Sequence, residues 1–187
     1  KEGVKNIGDF SFYGLNKLKE IVIPSSVETI GNSSFGGCLS MQSIVVDENN
    51  QHFVLSNEIL FTKDMKELIK YPNGKEGNSY TIPDDLNVIR NYAFERNTKL
   101  HEIIFNEKMQ TIGESAFEGV TNVRSITIKS NLNSIGKNAF GTMNLLNTFV
   151  YLGTTTPTCN EEIFTESSSL NKVYTKTENT ELTTFCQ

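Results

Sequence analysis

The chain has 187 residues, a formal net charge of -5 at pH 7 and 37% apolar residues. This balance is typical of a folded protein, and the absence of clustered Lys and Arg argues against nucleic acid as a partner. No apolar run approaches the roughly 20 residues that a membrane helix needs, so we expect no membrane insertion by this segment.

A short phrase recurs five times: an apolar residue, isoleucine three residues later, usually glycine next, and phenylalanine five residues after the isoleucine. The isoleucine and phenylalanine of each copy are Ile7 and Phe12, Ile30 and Phe35, Ile89 and Phe94, Ile112 and Phe117, and Ile135 and Phe140. Successive isoleucines are 23 residues apart, except for one step of 59 residues. A fixed period of this length predicts a stack of small units with a shared core.

Each unit also contains two apolar residues at spacing two, nine and eleven positions after its phenylalanine, as in Ile21 and Ile23. This spacing predicts a short strand with both side chains on one face. A turn, the Ile-Gly segment and a compact turn of helix that carries the phenylalanine complete the predicted unit. The glycine is expected to permit a tight corner or close packing of the next unit, although Arg90 replaces it in one copy.

The long step indicates an insertion of residues 47–79 within one unit. Two apolar segments, 59–61 and 68–71, flank a polar turn and predict a β-hairpin that folds onto the stack. We therefore expect a single solenoid over residues 1–175. Residues 176–187 follow it as a C-terminal cap or tail, since terminal repeats must shield the core.

Three cysteines form too sparse and odd a set for a disulfide framework. Cys38 occupies a position where core packing is expected. Cys159 and Cys186 flank the last unit and could pair in an oxidising compartment, but two unrelated thiols are the simpler expectation.

No residue pattern points to catalysis. His52 and His101 have no evident partner and are expected to be solvated, and the segment 47–50 lacks the spacing of a calcium loop and reads as a polar turn. Nucleophile, phosphate-loop and zinc motifs are absent from the sequence. We therefore expect no catalytic, cofactor or metal site, and no enzymatic activity.

One row of residues suggests a binding surface. In each strand, the residue between the two inward apolar positions must face outward. The exposed row comprises Val22, Val45, Thr81, Ile104, Thr127, Val150 and Tyr174, and a polar row that includes Glu20 and Glu102 lies beside it. Such a surface fits contact with a protein or glycan, although β-propensity alone is the simpler explanation for the same residues.

The string Ile-Gly-x-x-Ala-Phe, at residues 112–117 and 135–140, resembles the BspA-type leucine-rich repeat, also known as the Treponema pallidum type. The strand segment from Leu18 to Pro24 and the inserted unit match variants of the same pattern. The resemblance extends from about Val4 to Tyr174.

The resemblance implies an α/β repeat solenoid, a right-handed leucine-rich-repeat superhelix. A parallel β-sheet would form one face and short helical turns the opposite face. Proteins of this kind are typically secreted or on the surface of host-associated bacteria and some protozoa, and some are implicated in adhesion. The implied function is a non-catalytic, adhesin-like recognition module that binds host or microbial proteins or glycans extracellularly. A passive spacer in a larger cell-surface protein is the alternative.

Overall fold

The computed structural model describes residues 3–159, 162–176 and 185–186, which form a β-solenoid of about seven turns. We call each turn a coil. Short strands precede the phenylalanine of a coil. They are β1 (Asn6–Ile7), β3 (Thr29–Ile30), β9 (Val88–Ile89), β11 (Thr111–Ile112), β13 (Ser134–Ile135) and β15 (Thr158–Cys159). Longer strands follow the aromatic residue of each coil, which is phenylalanine except for Tyr71 ahead of β8. They are β2 (Glu20–Ile23), β4 (Ser43–Val46), β8 (Ser79–Thr81), β10 (Glu102–Ile104), β12 (Ser125–Ile128), β14 (Thr148–Tyr151) and β16 (Lys172–Thr175). Three further strands interrupt this order: β5 (Phe53–Ser56), β6 (Ile59–Thr62) and β7 (Glu67–Lys70).

The longer strands pair in parallel, as the sequence predicts, and each residue lies opposite its counterpart in the next coil. In β12, Ile126 and Ile128 are buried whereas Ser125 and Thr127 are exposed, so the spacing of two separates a core face from an outer face. The pairing forms three groups within the described residues, namely β2–β4, β8–β10 and β12–β14–β16.

The short helical turns predicted opposite the sheet are not found, because the described residues contain no helix. The phenylalanine segments instead direct backbone N–H groups to the neighbouring coil. The amide of Phe94 donates to the carbonyl of Ala116 and that of Phe117 to Ala139, each at 2.8 Å. Tyr92 and Ser115 also have positive φ, 58° and 50°, which an α-helix does not accommodate.

The predicted close packing at the repeat glycine is confirmed for Gly31, Gly113 and Gly136. A Cβ atom on Gly113 would lie 2.5 Å from the backbone nitrogen of Asn91 in the preceding coil. Gly31 and Gly136 meet equivalent backbone atoms of their own preceding coils. Real Cβ atoms do not approach backbone so closely, so a side chain at these positions would force the coils apart.

Aromatic rings stack along the interior in two series. In one series the ring centroids of Phe94 and Phe117 are 4.9 Å apart and those of Phe117 and Phe140 are 5.5 Å apart. Tyr71 extends this series ahead of Phe94, at 5.0 Å. The other series pairs Phe12 with Phe35 at 5.7 Å. The two series belong to different clusters of buried side chains.

The inserted strands lie between these two clusters. Strands β5, β6 and β7 form an antiparallel meander, and β7 also pairs in parallel with β9. Successive side chains of β6 belong to opposite clusters: Leu60 lies in the cluster of Phe35, whereas Phe61 lies in the cluster of Phe94. The meander therefore forms a partition with an apolar surface on both sides, which explains why its apolar runs are continuous.

The C-terminal end is closed by a disulfide. Cys159 and Cys186, expected from the sequence to be unrelated thiols, are bonded to each other, with their Cα atoms 5.2 Å apart. Phe185 is buried and lies 5.2 Å from the ring of Tyr151. Cys38 is a buried free thiol. The predicted cap or tail at 176–187 lies mostly outside the described residues.

Candidate functional site

Four large apolar side chains of the exposed row project from the sheet. The exposed fractions are 58% for Val22, 42% for Val45, 46% for Ile104 and 43% for Tyr174. Thr81 and Thr127 are also exposed, and Val150 is half-buried. Every predicted member of the row therefore reaches the surface at least in part.

Strand pairing aligns the row in three groups. Val22 lies opposite Val45, Thr81 opposite Ile104, and Val150 opposite both Thr127 and Tyr174. Among the described strands no pairing joins β4 to β8, where the meander enters, or β10 to β12. The outward surface is thus an interrupted series of small apolar groups.

Hydrogen bonds between coils orient the acidic members of the polar row. The hydroxyl of Ser43 donates to Glu20 Oε2 at 2.9 Å, and that of Ser79 donates to Glu102 Oε2 at 3.1 Å. Both glutamates are exposed. Since each hydroxyl engages one carboxylate oxygen, the other remains available to a ligand beside the apolar groups.

A cleft that the sequence did not reveal lies on another face, where the coil of β3 meets the coil of β9. We call it the junction cleft; its volume is about 410 Å³. Its polar lining comes from Asp9, Asn32, Glu67, Arg90, Asn91 and Thr111.

Arg90 lines the junction cleft, and two hydrogen bonds fix its guanidinium group. Its Nε donates to Glu67 Oε2 at 2.6 Å and its Nη1 donates to the carbonyl oxygen of Ile30, also at 2.6 Å. The residue replaces the repeat glycine in the coil that follows the meander. The only sequence signal for the cleft was this substitution, since a broken repeat marks a place where neighbouring coils differ.

A row of aromatic side chains continues from the junction cleft. Phe10 follows Asp9, and Tyr92 follows Asn91. The ring centroids of Phe10 and Tyr13 are 5.5 Å apart, as are those of Tyr13 and Tyr92, and both pairs meet edge to face. Gly36 lies beneath the Tyr13–Tyr92 pair, and a Cβ atom there would contact both rings.

A buried charge lies behind these rings. Lys70 is fully buried and its Nζ donates to the carbonyl oxygen of Tyr92 at 3.0 Å. Burial lowers the pKa of Lys70 to about 8, against the opposing influence of Glu95 and Cys38. Glu95 is itself buried and accepts a hydrogen bond from the amide of Gly37 at 2.6 Å.

The predicted polar turn at 47–50 is confirmed. Asp47 Oδ1 accepts the amide of Asn49 at 2.9 Å, while the side chain of buried Asn50 donates to the carbonyl oxygens of Pro24 and Val27. His101 is exposed, with its Nδ1 2.9 Å from the carbonyl oxygen of Lys99. In the part of the chain that the structure describes, no group of three or more His, Cys, Asp or Glu residues could hold a metal ion. Nor do those residues contain a helix that could cross a membrane.

The family model for the BspA type leucine rich repeat region matches the chain in six copies, over residues 1–68 and 70–186. No functionally curated protein has a significantly similar sequence.

Solved structures of bacterial leucine-rich repeat proteins share the fold. A leucine-rich repeat protein from Eubacterium ventriosum is 30% identical, with a TM-score of 0.82 over 91% of this chain and 45% of its own. The pneumococcal vaccine antigen PcpA is 23% identical, with a TM-score of 0.69 over 92% of this chain and 48% of its own. A leucine rich cell surface protein from Faecalibacterium prausnitzii is 22% identical, with a TM-score of 0.71 over 94% of this chain and 52% of its own. The chain therefore spans about half the length of these proteins.

Proposed function

Because this chain belongs to the BspA-type leucine-rich repeat family, we propose that it is a non-catalytic recognition module of a cell-surface or secreted protein. Its ligand is an extracellular protein or glycan of a host or of another microbe. The exposed row and the polar row beside it form the contact surface, and no cofactor takes part.

The observation that carries this proposal is the exposure of Val22, Val45, Ile104 and Tyr174 along one face. Thr81 and Thr127 occupy equivalent positions, so a strand of this fold does not need a large apolar group there. Exposed apolar groups rimmed by polar ones are typical of contact sites, because a ligand removes them from water.

The relatives support a location on or outside the cell. One is described as a leucine rich cell surface protein and another as a vaccine antigen. We propose the same location and the same kinds of partner for the whole protein.

The alternative is a passive spacer that holds another domain away from the cell. The interruption of the exposed row favours it, since small separate groups offer less continuous surface than one row. A spacer shows no saturable binding to extracellular proteins or glycans, whereas a recognition module binds at least one.

The test places charges on the exposed row. The double variant Val45→Lys with Ile104→Glu leaves the core intact because both side chains point outward. We expect it to abolish saturable binding to the immobilised matrix protein or mucin that binds the wild-type chain, measured by biolayer interferometry.

A matched control carries the same two charges elsewhere. Gln110→Lys with Asn133→Glu changes exposed residues that precede β11 and β13, outside the exposed row. It should bind as the wild type does. Equal binding by the folded row variant and its control would exclude the exposed row as the contact surface.

A further inference from the structure

We propose that the junction cleft, together with the aromatic row of Phe10, Tyr13 and Tyr92, is a second binding site, for a neutral sugar segment of a glycan. This second site lies apart from the exposed row, on residues within and directly after the short strands. The proposal goes beyond the function proposed above, because that function places contact on the sheet alone.

The cleft exists because the regular stacking of coils fails at one place. Elsewhere a repeat glycine lets the next coil approach to backbone contact, as Gly113 does against Asn91. No strand pairing among the described residues joins β3 to β9, since the meander supplies the strand that pairs with β9. Side chains bridge the two coils here, from Arg90 to the carbonyl oxygen of Ile30 and from Asn91 to the hydroxyl of Ser33, and the space above Arg90 and Glu67 is open.

The lining suits a ligand that both donates and accepts hydrogen bonds. Among the described residues, the side-chain amide of Asn32 and the hydroxyl of Thr111 have no protein partner. Asp9 Oδ1 accepts the amide of Asn32 at 2.7 Å, so its second carboxylate oxygen is available. Sugar hydroxyls donate and accept at the same time and can pair with an amide, a hydroxyl and a carboxylate together.

The charge of the lining argues against an anionic ligand. Arg90 is the only cationic residue among the lining residues, and Glu67 and the carbonyl oxygen of Ile30 already engage it. Asp9 then leaves the lining acidic. A phosphate or an acidic peptide would gain little attraction from the paired guanidinium of Arg90 and would be repelled by the carboxylate of Asp9. An uncharged ligand does not depend on the first and is not subject to the second.

The neighbouring rings supply the apolar part of the site. Phe10 is 57% exposed and Tyr13 is 47% exposed, so both rings are open to solvent. The backbone amide of Phe10 donates to the carbonyl oxygen of Asn32, a lining residue, at 3.0 Å. A pyranose ring has one face of C–H groups that packs on an aromatic ring while its hydroxyls reach polar groups at the edge. The cleft volume of about 410 Å³ is in the range of small-molecule sites.

The test uses defined neutral oligosaccharides on the whole chain. Triacetylchitotriose, maltotriose, cellotriose and lacto-N-tetraose are titrated separately to about 10 mM while backbone and side-chain amide signals are followed by ¹⁵N NMR. We expect at least one to give saturable shifts that include the side-chain amide of Asn32. If none does, the proposal is wrong.

Two variants probe the two halves of the site. Asn32→Ala removes the unpartnered amide and Phe10→Ala removes an exposed ring, and each should weaken binding about tenfold. Asn133→Ala is the matched control, because Asn133 is also exposed with no side-chain partner among the described residues. Its affinity should equal that of the wild type. Unchanged affinity in both cleft variants would overturn the proposal.

Further outcomes separate this site from the exposed row. The variant Val45→Lys with Ile104→Glu should keep its affinity for the oligosaccharide. If that variant loses the oligosaccharide while the cleft variants keep it, the sugar binds the sheet face and the cleft proposal fails. Inorganic phosphate that shifts the same amide at lower concentration than any sugar would also overturn it, because the site would then be anionic in preference.

Discussion

Arg90 donates a hydrogen bond through Nη1 to the carbonyl oxygen of Ile30, 2.6 Å away, although the two residues are 60 positions apart. The bond joins coils on opposite sides of the meander. It is possible only because position 90 carries a side chain where the repeat otherwise has glycine. The guanidinium therefore takes over a connection that backbone pairing makes between other coils.

Loss of this connection should reduce stability. We expect Arg90→Ala to lower the free energy of unfolding by about 1.5–3 kcal/mol, the usual range for hydrogen bonds to a charged group. Arg124→Ala is the matched control, because Arg124 is exposed and has no side-chain partner among the described residues. Urea denaturation of both variants gives the comparison. Equal midpoints would show that neither the bond to Ile30 nor the one to Glu67 contributes to stability.

A methyl group at a repeat glycine should separate two coils. Gly113→Ala would place Cβ against the backbone of Asn91 and should cost about 1–3 kcal/mol, as overpacking does. Gly8→Ala is the control at the same repeat position, since a Cβ there meets only the Ser11 hydroxyl at 3.4 Å. Thermal unfolding followed by circular dichroism should show a lower midpoint for the first variant alone.

Removal of a stacked ring should leave a cavity. Phe117 is fully buried between Phe94 and Phe140, so Phe117→Ala should cost about 3–5 kcal/mol. Phe10→Ala should cost little stability because its ring is mostly exposed. Almost no loss in the Phe117 variant, measured by thermal unfolding, would contradict the stacked interior.

The buried amine should make stability depend on pH. The pKa of Lys70 is about 8 in the folded chain and 10.5 when unperturbed. Between these values the unfolded chain binds more protons, so the contribution of Lys70 to stability rises with pH through this window. Below it both states are protonated, and the folded chain bears the whole cost of the buried charge.

We therefore expect Lys70→Met to gain most over the wild type below pH 8, and to lose about 3 kcal/mol of that advantage by pH 10.5. The groups that face Lys70 are Glu95, Cys38 and the carbonyl oxygen of Tyr92. Lys17→Met removes an exposed lysine and is the control. Urea denaturation at several pH values gives the difference, and a difference that does not change with pH would exclude a depressed lysine pKa.

Reduction of the disulfide should loosen the C-terminal coil. Cys159 and Cys186 are 27 positions apart, and opening a loop of this length should cost about 3–4 kcal/mol. Cys159→Ser with Cys186→Ser should therefore melt below the wild type in oxidising buffer and equal it in the presence of a reducing phosphine. Cys38 is present in both chains and serves as an internal control. A melting temperature unaffected by the phosphine in the wild type would contradict this.

Sequence periodicity predicts those parts of the fold that every coil shares. The spacing of Ile126 and Ile128 identifies the sheet, and the spacing of Phe117 and Phe140 identifies the interior stack, because burial repeats with the same period. The turns at Tyr92 and Ser115 could not be recognised, since positive φ at residues other than glycine leaves no compositional signal.

Features that depend on how particular coils meet could not be predicted from the sequence. The continuous apolar run of β6 predicts burial but does not reveal that its two faces serve different clusters. The junction cleft arises from the spacing of coils around Arg90, which only the folded chain defines. The pairing of Cys159 with Cys186 likewise depends on where residues 185–186 return to the solenoid.

Leu60 and Phe61 are neighbours along the chain, yet their side chains belong to opposite halves of the interior. In a simple repeat array, unfolding spreads from one unit to the next, because each unit contacts only its neighbours. A shared strand removes that independence at the midpoint, since neither half can open without exposing side chains of the other. We therefore expect the two short arrays to unfold together and not one after the other.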